Sequence, residues 1–206
     1  MAIEHANHVA LSLQEQLPIW LIVIPFITAP LILLLGNKQL AWLLSFIATG
    51  ISLFISILLT LHLQSGGVIS YHIGGWAPPI GIEYRIDATN AFILLLISLI
   101  GTVVLPYAYK SVNSEINPKH HTLFYACYML CFTGLMGIVI TGDAFNIFVF
   151  LEISSLSTYT LVSLGQDRRA LTAAFQYLVM GTLGATFILI GIGLMYMMTG
   201  TLNILD

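Results

Sequence analysis

Six apolar stretches dominate this chain, each close to the roughly 18 residues that a helix needs to cross the hydrocarbon core of a bilayer. They run approximately over 19–35, 40–63, 86–109, 122–140, 144–164 and 170–198. In lipid, a helix is the spanning structure that satisfies every backbone N–H and C=O within one segment, so runs of this length predict helices. Composition agrees, with 58% of the 206 residues hydrophobic and 7% charged, where water-soluble folds carry about 25% charged residues. The predicted fold is an all-α integral membrane protein with six transmembrane helices: a domain over 19–206 after a short segment, 1–18. Pro25 and Pro30 fall inside the first span, where bundle neighbours re-satisfy the groups they free.

The few cations predict direction. Lys38 lies in the first connection, Arg85 ends the second, Lys110 and Lys119 lie in the third, and Arg168 and Arg169 in the fifth. Five of the six therefore fall on one side. Lys and Arg accumulate in cytoplasmic loops, so the odd connections are predicted inside and both termini outside, in a bacterial inner membrane. Residues 1–17 hold Glu4 and Glu15 and no Lys or Arg, which does not fit a cleavable signal peptide. Within the loop 64–85, the run Gly74-Gly75-Trp76-Ala77-Pro78-Pro79 and Gly81 reads as turns. Val68, Ile69, Tyr71, Ile80, Ile82 and Tyr84 have the alternation of short strands, so an ordered outer loop or hairpin is expected.

One charge is out of place. Glu152 lies inside the fifth span, about 12 Å from its outer end and close to the midplane. An acidic residue there costs about 2.5–3.5 kcal/mol on insertion scales, so it calls for a partner, a wet cavity or a proton. Glu152, Ser155 and Tyr159 stand at i, i+3 and i+7, hence on one helix face. Ser154, Ser157, Thr158 and Thr160 make the same half of the span rich in hydroxyls. Two readings stand side by side: a protonatable site with a path through Ser155, Tyr159 and Gln176, or a carboxyl that fixes helix packing. Gln176 is expected to be buried about 9 Å inside the sixth span and to need water to reach Glu152. Asp143, at the start of the fifth span, has the position of a helix cap. Gly181, Gly184, Gly191 and Gly193 in the sixth span predict close helix neighbours.

Other chemistry is not signalled. His5, His8, His62, His72, His120 and His121 lie in loops or near span ends without metal-ligand spacing, and His120-His121 reads as a solvated pair. Cys127 and Cys131 do not make a disulfide framework. No phosphate loop or haem motif is present, so no cofactor and no metal are predicted, nor an enzyme activity for the chain on its own. A net charge of −3 gives no basic surface for nucleic acid.

The stretch Gly142-Asp143-Ala144-Phe145-Asn146-Ile147-Phe148-Val149-Phe150-Leu151-Glu152-Ile153, continuing through Ser154-Ser155-Leu156-Ser157-Thr158-Tyr159, resembles the fifth-helix signature of proton-conducting antiporter-like membrane subunits. Such subunits occur in respiratory complex I, membrane-bound hydrogenases and Mrp-type Na+/H+ antiporters. Thr199-Gly200-Thr201-Leu202-Asn203-Ile204 is similar to the end of the family's sixth helix, and Gly74 to Ile82 to its second outer loop. Similarity is best for the branch that holds the D-type subunit of the Mrp antiporters. The resemblance implies that Glu152 is the family's mid-membrane glutamate, paired with a lysine on a seventh helix. It implies a fold of about fourteen helices built from inverted repeats, of which this chain holds the first six. Gln176 stands where many relatives have a basic residue. A split or truncated subunit and a naturally short form are both compatible with these residues.

The chain therefore reads as a membrane subunit, or part of one, of a multisubunit monovalent cation/proton antiporter. Its expected partners are other membrane subunits and lipid, and its expected substrates protons and Na+. The alternatives are a proton-pumping subunit of a complex I-like oxidoreductase or membrane-bound hydrogenase, and a non-transporting assembly element.

Overall fold

The computed structural model describes residues 16–63, 66–76 and 81–205. Most of the expected outer segment 1–18 and residues 77–80 of the loop lie outside the described residues. Six helices form: α1 (Leu17–Leu35), α2 (Lys38–Leu63), α3 (Ala88–Glu115), α4 (His121–Ile140), α5 (Ala144–Ser163) and α6 (Arg168–Thr199). All six are long and apolar enough to cross a membrane. They make an all-α multipass membrane fold.

Local signals set the helix ends. Gly36 closes α1 in the left-handed region at φ 62°, and Gly200 closes α6 at φ 74°, where a side chain would be strained. Carboxylates begin three helices. Asp87 accepts from the Asn90 N–H at 2.8 Å, Asp143 from Asn146 at 2.7 Å and Asp167 from Arg169 at 3.1 Å. α1 runs unbroken through Pro25 and Pro30. α3 continues six residues past the expected end of its span at Tyr109. The apolar run stops there, but side-chain bonds hold the next turn: Ser111 to Glu115 at 2.9 Å, the Asn113 amide to the Tyr109 carbonyl at 2.7 Å and Ser114 to the Ser111 carbonyl at 3.0 Å.

α4 is the centre of the bundle, packing on α5, α1 and α3, and 56% of its membrane window is buried inside the protein. Lipid is as apolar as Leu, so close van der Waals fit rather than expulsion from water holds such helices together. The chain supplies that fit with small residues. On α2, Ser45, Thr49, Ser52 and Ser56 are fully buried, and each hydroxyl donates to a carbonyl of its own helix at 2.9–3.0 Å. On α4, a Cβ at Gly134 would lie 2.7 Å from the Phe150 carbonyl and the Ser154 Cβ, and a Cβ at Gly137 would run into the Phe150 ring. The Tyr128 hydroxyl donates to the Gly101 carbonyl at 2.6 Å and the Trp42 indole N–H to the Leu105 carbonyl at 2.9 Å, tying α4 and α2 to α3.

At one end of the bundle sits a hairpin of β1 (Ile69–His72) and β2 (Glu83–Ile86), antiparallel with Ile69 opposite Ile86 and His72 opposite Glu83. Its strands hold Ile69, Tyr71 and Tyr84 as the 64–85 pattern predicts; Ile80 lies outside the described residues. Lys38, Lys110, Lys119, Arg168 and Arg169 lie at the other end, joined there by a backbone bridge between Ile116 and Gly165.

Candidate functional site

α5 carries the candidate site, and two remote segments clamp its start. The Gly142 N–H donates to the Glu83 carbonyl of β2 at 2.9 Å, the Ala144 N–H to the Leu202 carbonyl at 2.8 Å, and the Ile204 N–H to the Gly142 carbonyl at 3.0 Å. Tyr84 pairs across to Thr141, and Asp143 to Asn203. The start of α5 thus becomes a strand between β2 and the segment after α6. The clamp has a buried polar heart in the Glu83 carboxylate, which accepts from the Ser70 hydroxyl at 2.6 Å and from the Asn203 amide at 3.3 Å. Beside it, burial pushes the Tyr84 hydroxyl above its ordinary pKa, partly offset by a hydrogen bond with Asn146, with Tyr71 adding a small rise. Two of the stretches that carry the family resemblance, 142–159 and 199–204, therefore meet in space here, with Glu83 and Tyr84 of β2 against them.

With its first turn held, the rotation of α5 is set. Phe150, Ser154 and Ser157 face α4 and are buried. Glu152, Ser155 and Tyr159 lie roughly opposite on the helix circumference. Tyr159 points at α6: its ring meets Tyr177 edge-on at 4.7 Å between centroids, and its hydroxyl occupies the space of a Cβ at Gly181. Glu152 and Ser155 continue that stripe toward the hairpin and are half-buried. Glu152 stands about 12 Å from the start of α5 and about 16 Å from its end, near mid-depth.

The hydroxyls of α5 divide into two groups. Ser154, Ser157, Thr158, Thr160 and Ser163 each donate to a carbonyl of α5 itself at 2.6–3.0 Å. They are packing hydroxyls that keep their protons occupied. Among the described residues, the Ser155 and Tyr159 hydroxyls and the Glu152 carboxylate take no such bond and no ion pair. The three free polar groups of this segment are the ones that share a stripe.

Gln176 departs from expectation. It is exposed, not buried, on the face of α6 turned away from α5, because Ala174, Gly181 and Ala185 form the contact face and Gln176 stands about 200° around from Ala174. The structure therefore brings Ser155 and Tyr159 to the face of Glu152 but not Gln176. His121, expected in a solvated pair, is also buried, with its ring Nε2 3.0 Å from the Ile116 carbonyl; His120 is exposed as expected. Cys127 and Cys131 are free thiols. A Cβ at Gly184, Gly191 or Gly193 would meet no atom within 4 Å, so among the described residues only Gly181 of the four serves a close helix contact.

Glu83 is the polar group that sequence reasoning passed over. As a loop acid it carried no cost to flag it, and its partner Asn203 lies 120 residues away. Among the described residues no group of three His, Cys, Asp or Glu side chains could hold a metal. The α5 stripe offers a carboxylate at mid-depth, the Ser155 hydroxyl one turn from it, and the Tyr159 hydroxyl about 10 Å along the helix axis, which reaches the carboxylate only through water.

The family model described as "NADH:quinone oxidoreductase/Mrp antiporter, TM" matches residues 141–206, which include the whole α5 stripe and the segment after α6. The N-type subunit of the NADH-quinone oxidoreductase of Desulforudis audaxviator is 38% identical over 93% of this chain and 38% of its own length. The D-type subunit of the Na(+)/H(+) antiporter of Alkalihalophilus pseudofirmus is 32% identical over 90% of this chain and 37% of its own length. Among solved structures, the membrane-bound sulfane sulfur reductase, an archaeal respiratory membrane complex, superposes with a TM-score of 0.85 at 33% identity, over 91% of this chain and 38% of the matched chain. The chain thus spans less than two fifths of the length of these relatives. Similarity extends to both branches, and identity to the oxidoreductase relative exceeds that to the antiporter relative.

Proposed function

We propose, on the premise that this chain is related to the antiporter-like membrane subunits, that it is a subunit, or part of one, of a multisubunit monovalent cation/proton antiporter, with Glu152 as the proton site. The observation that carries the reading is the free stripe of α5. Glu152, Ser155 and Tyr159 share one face, with Glu152 at mid-depth, while the other hydroxyls of the same half-helix are bound to their own backbone.

A carboxylate in a medium of low polarity favours its protonated form, and a cation brought near it favours the ionised form. Alternating approach and withdrawal of a cationic group would load and unload Glu152. Ser155, and Tyr159 through water, would donate to the ionised carboxylate and so ease its formation. The cationic partner is expected from outside the six helices, since no Lys or Arg lies within the apolar part of a span. By the excess of Lys and Arg at the end opposite the hairpin, that end faces the cytoplasm and both termini face outward. Protons and Na+ are the proposed substrates, and the other membrane subunits of the assembly the proposed partners.

A Glu152→Gln variant tests the reading. Cation-driven proton movement in membrane vesicles containing the full assembly should fall to background, with insertion and assembly unchanged. Exchange at the wild-type rate in that variant would overturn the proposal.

A second reading is favoured by the oxidoreductase relative and by the archaeal respiratory structure. In it, the same Glu152 serves a redox-driven proton pump. Proton movement that requires oxidation of a reduced donor, and is not driven by a cation gradient, would select it.

A further inference from the structure

Toward the cation-rich end, the seam between α5 and α6 opens into a groove of about 690 Å3 whose walls include Leu156, Tyr159, Leu171, Phe175 and Leu178. Its lining is overwhelmingly apolar. Around α6 from it, and sharing Thr172 with it, a polar cleft of about 500 Å3 is bordered by Asp167, Arg168, Arg169 and Gln176. Both arginines are exposed, and among the described residues neither forms an ion pair. Asp167, the acid beside them, is engaged in capping the Arg169 N–H at 3.1 Å.

We propose that groove and cleft together bind one anionic phospholipid, with its phosphate on Arg168 and Arg169 and an acyl chain along the groove. Depth supports this occupant. From Arg168 to Leu178 the helix rises about 15 Å, which is the thickness of one leaflet of a bilayer with a hydrocarbon core of about 30 Å. Charge supports it too. A docked apolar helix would fill the groove and leave two guanidinium groups unanswered, whereas an anionic lipid satisfies both surfaces with one molecule. The first N–H groups of α6 add donors at the same place. The site does not depend on the role of Glu152, so its test is independent of proton transport.

The test is lipid retention. The protein, in the assembly it forms, is reconstituted with equal parts of phosphatidylcholine and phosphatidylglycerol, re-extracted in mild detergent, and its retained lipid measured by native mass spectrometry. The wild type should keep phosphatidylglycerol in preference to phosphatidylcholine. Arg168→Gln with Arg169→Gln should weaken that preference by about fivefold per arginine. Leu171→Trp, which fills the groove and leaves both arginines in place, should also release the lipid. Equal retention of the two lipids by the wild type overturns the proposal. So does a preference that survives Leu171→Trp, because the arginines would then be attracting lipid without a site.

Discussion

The two faces of α5 are built on opposite principles. Toward α4, Gly134 and Gly137 receive the Phe150 ring and the Ser154 backbone so closely that neither glycine has room for a Cβ. Its hydroxyls on that side bond to their own helix. Toward α6, Tyr159 against Tyr177 and Gly181, with the buried Ala174 and Ala185, holds a helix of which only 6% of the membrane window is buried, and a carboxylate and two hydroxyls take no hydrogen bond among the described residues. The first face is finished, and all its polar groups are spoken for. The second leaves polar groups without partners among the described residues, which suits the proposed proton site.

Substitutions on the two faces can break this contrast. Gly137→Leu should have the largest effect on stability. It forces α4 and α5 apart at the centre of the bundle, with a loss of about 1–3 kcal/mol or more, read as a lowered melting temperature in detergent. Gly191→Ala, on the open side of α6, should leave the melting temperature unchanged. Equal losses in the two variants would mean that the faces do not differ.

Gly181→Leu should displace the Tyr159 ring and loosen α6 alone, raising protease cleavage in the α5–α6 connection while α1 to α4 keep their protection. A global loss of stability would contradict the picture of α6 as a peripheral helix.

Asn203→Ala removes one of the two donors to the buried Glu83 carboxylate. An unsatisfied buried acceptor costs about 1–3 kcal/mol, so amide exchange in β1 and β2 should speed by about tenfold. Unchanged exchange would show that the backbone bridges suffice for the clamp.

The smallest effect concerns pH. Burial raises the Tyr84 pKa above 10.0 in the folded hairpin. A raised pKa stabilises the fold fully below the unfolded value, and that contribution is lost as pH climbs through the folded one. Hairpin protection should therefore be flat at neutral pH and fall in the alkaline range above about 10. Tyr84→Phe should lack that part of the fall. An identical alkaline profile in the variant would place the titrating group elsewhere.

Local features are legible in the sequence because their causes are local. Apolar length marks the spans, Asp143 stands where a cap belongs, and the i, i+3, i+7 spacing puts Glu152, Ser155 and Tyr159 on one face before any contact is known. What depends on how helices rotate against one another is not legible. Gln176 has the depth of a path residue, but the docking of Ala174, Gly181 and Ala185 on α5 turns it outward. His121 belongs to a polar connection, yet folding places its ring under the Ile116 carbonyl. By sequence, the hydroxyl-rich half of α5 is one continuous resource. Back-bonding to the helix takes five of its members and leaves Ser155 and Tyr159. Glu83 is hidden for a simpler reason: an acid in a loop is unremarkable until a partner from the far end of the chain closes over it.

The central claim is that the Glu152 carboxyl changes its protonation state while the assembly works. Infrared difference spectroscopy of the reconstituted assembly, stepped through pH or driven through turnover, reads that change as the C=O stretch of a protonated carboxylic acid. The expected result is a band that appears and disappears with the imposed gradient and is missing in Glu152→Gln. A wild-type spectrum in which that band is absent, or is carried unchanged into the Gln variant while transport proceeds, would contradict it.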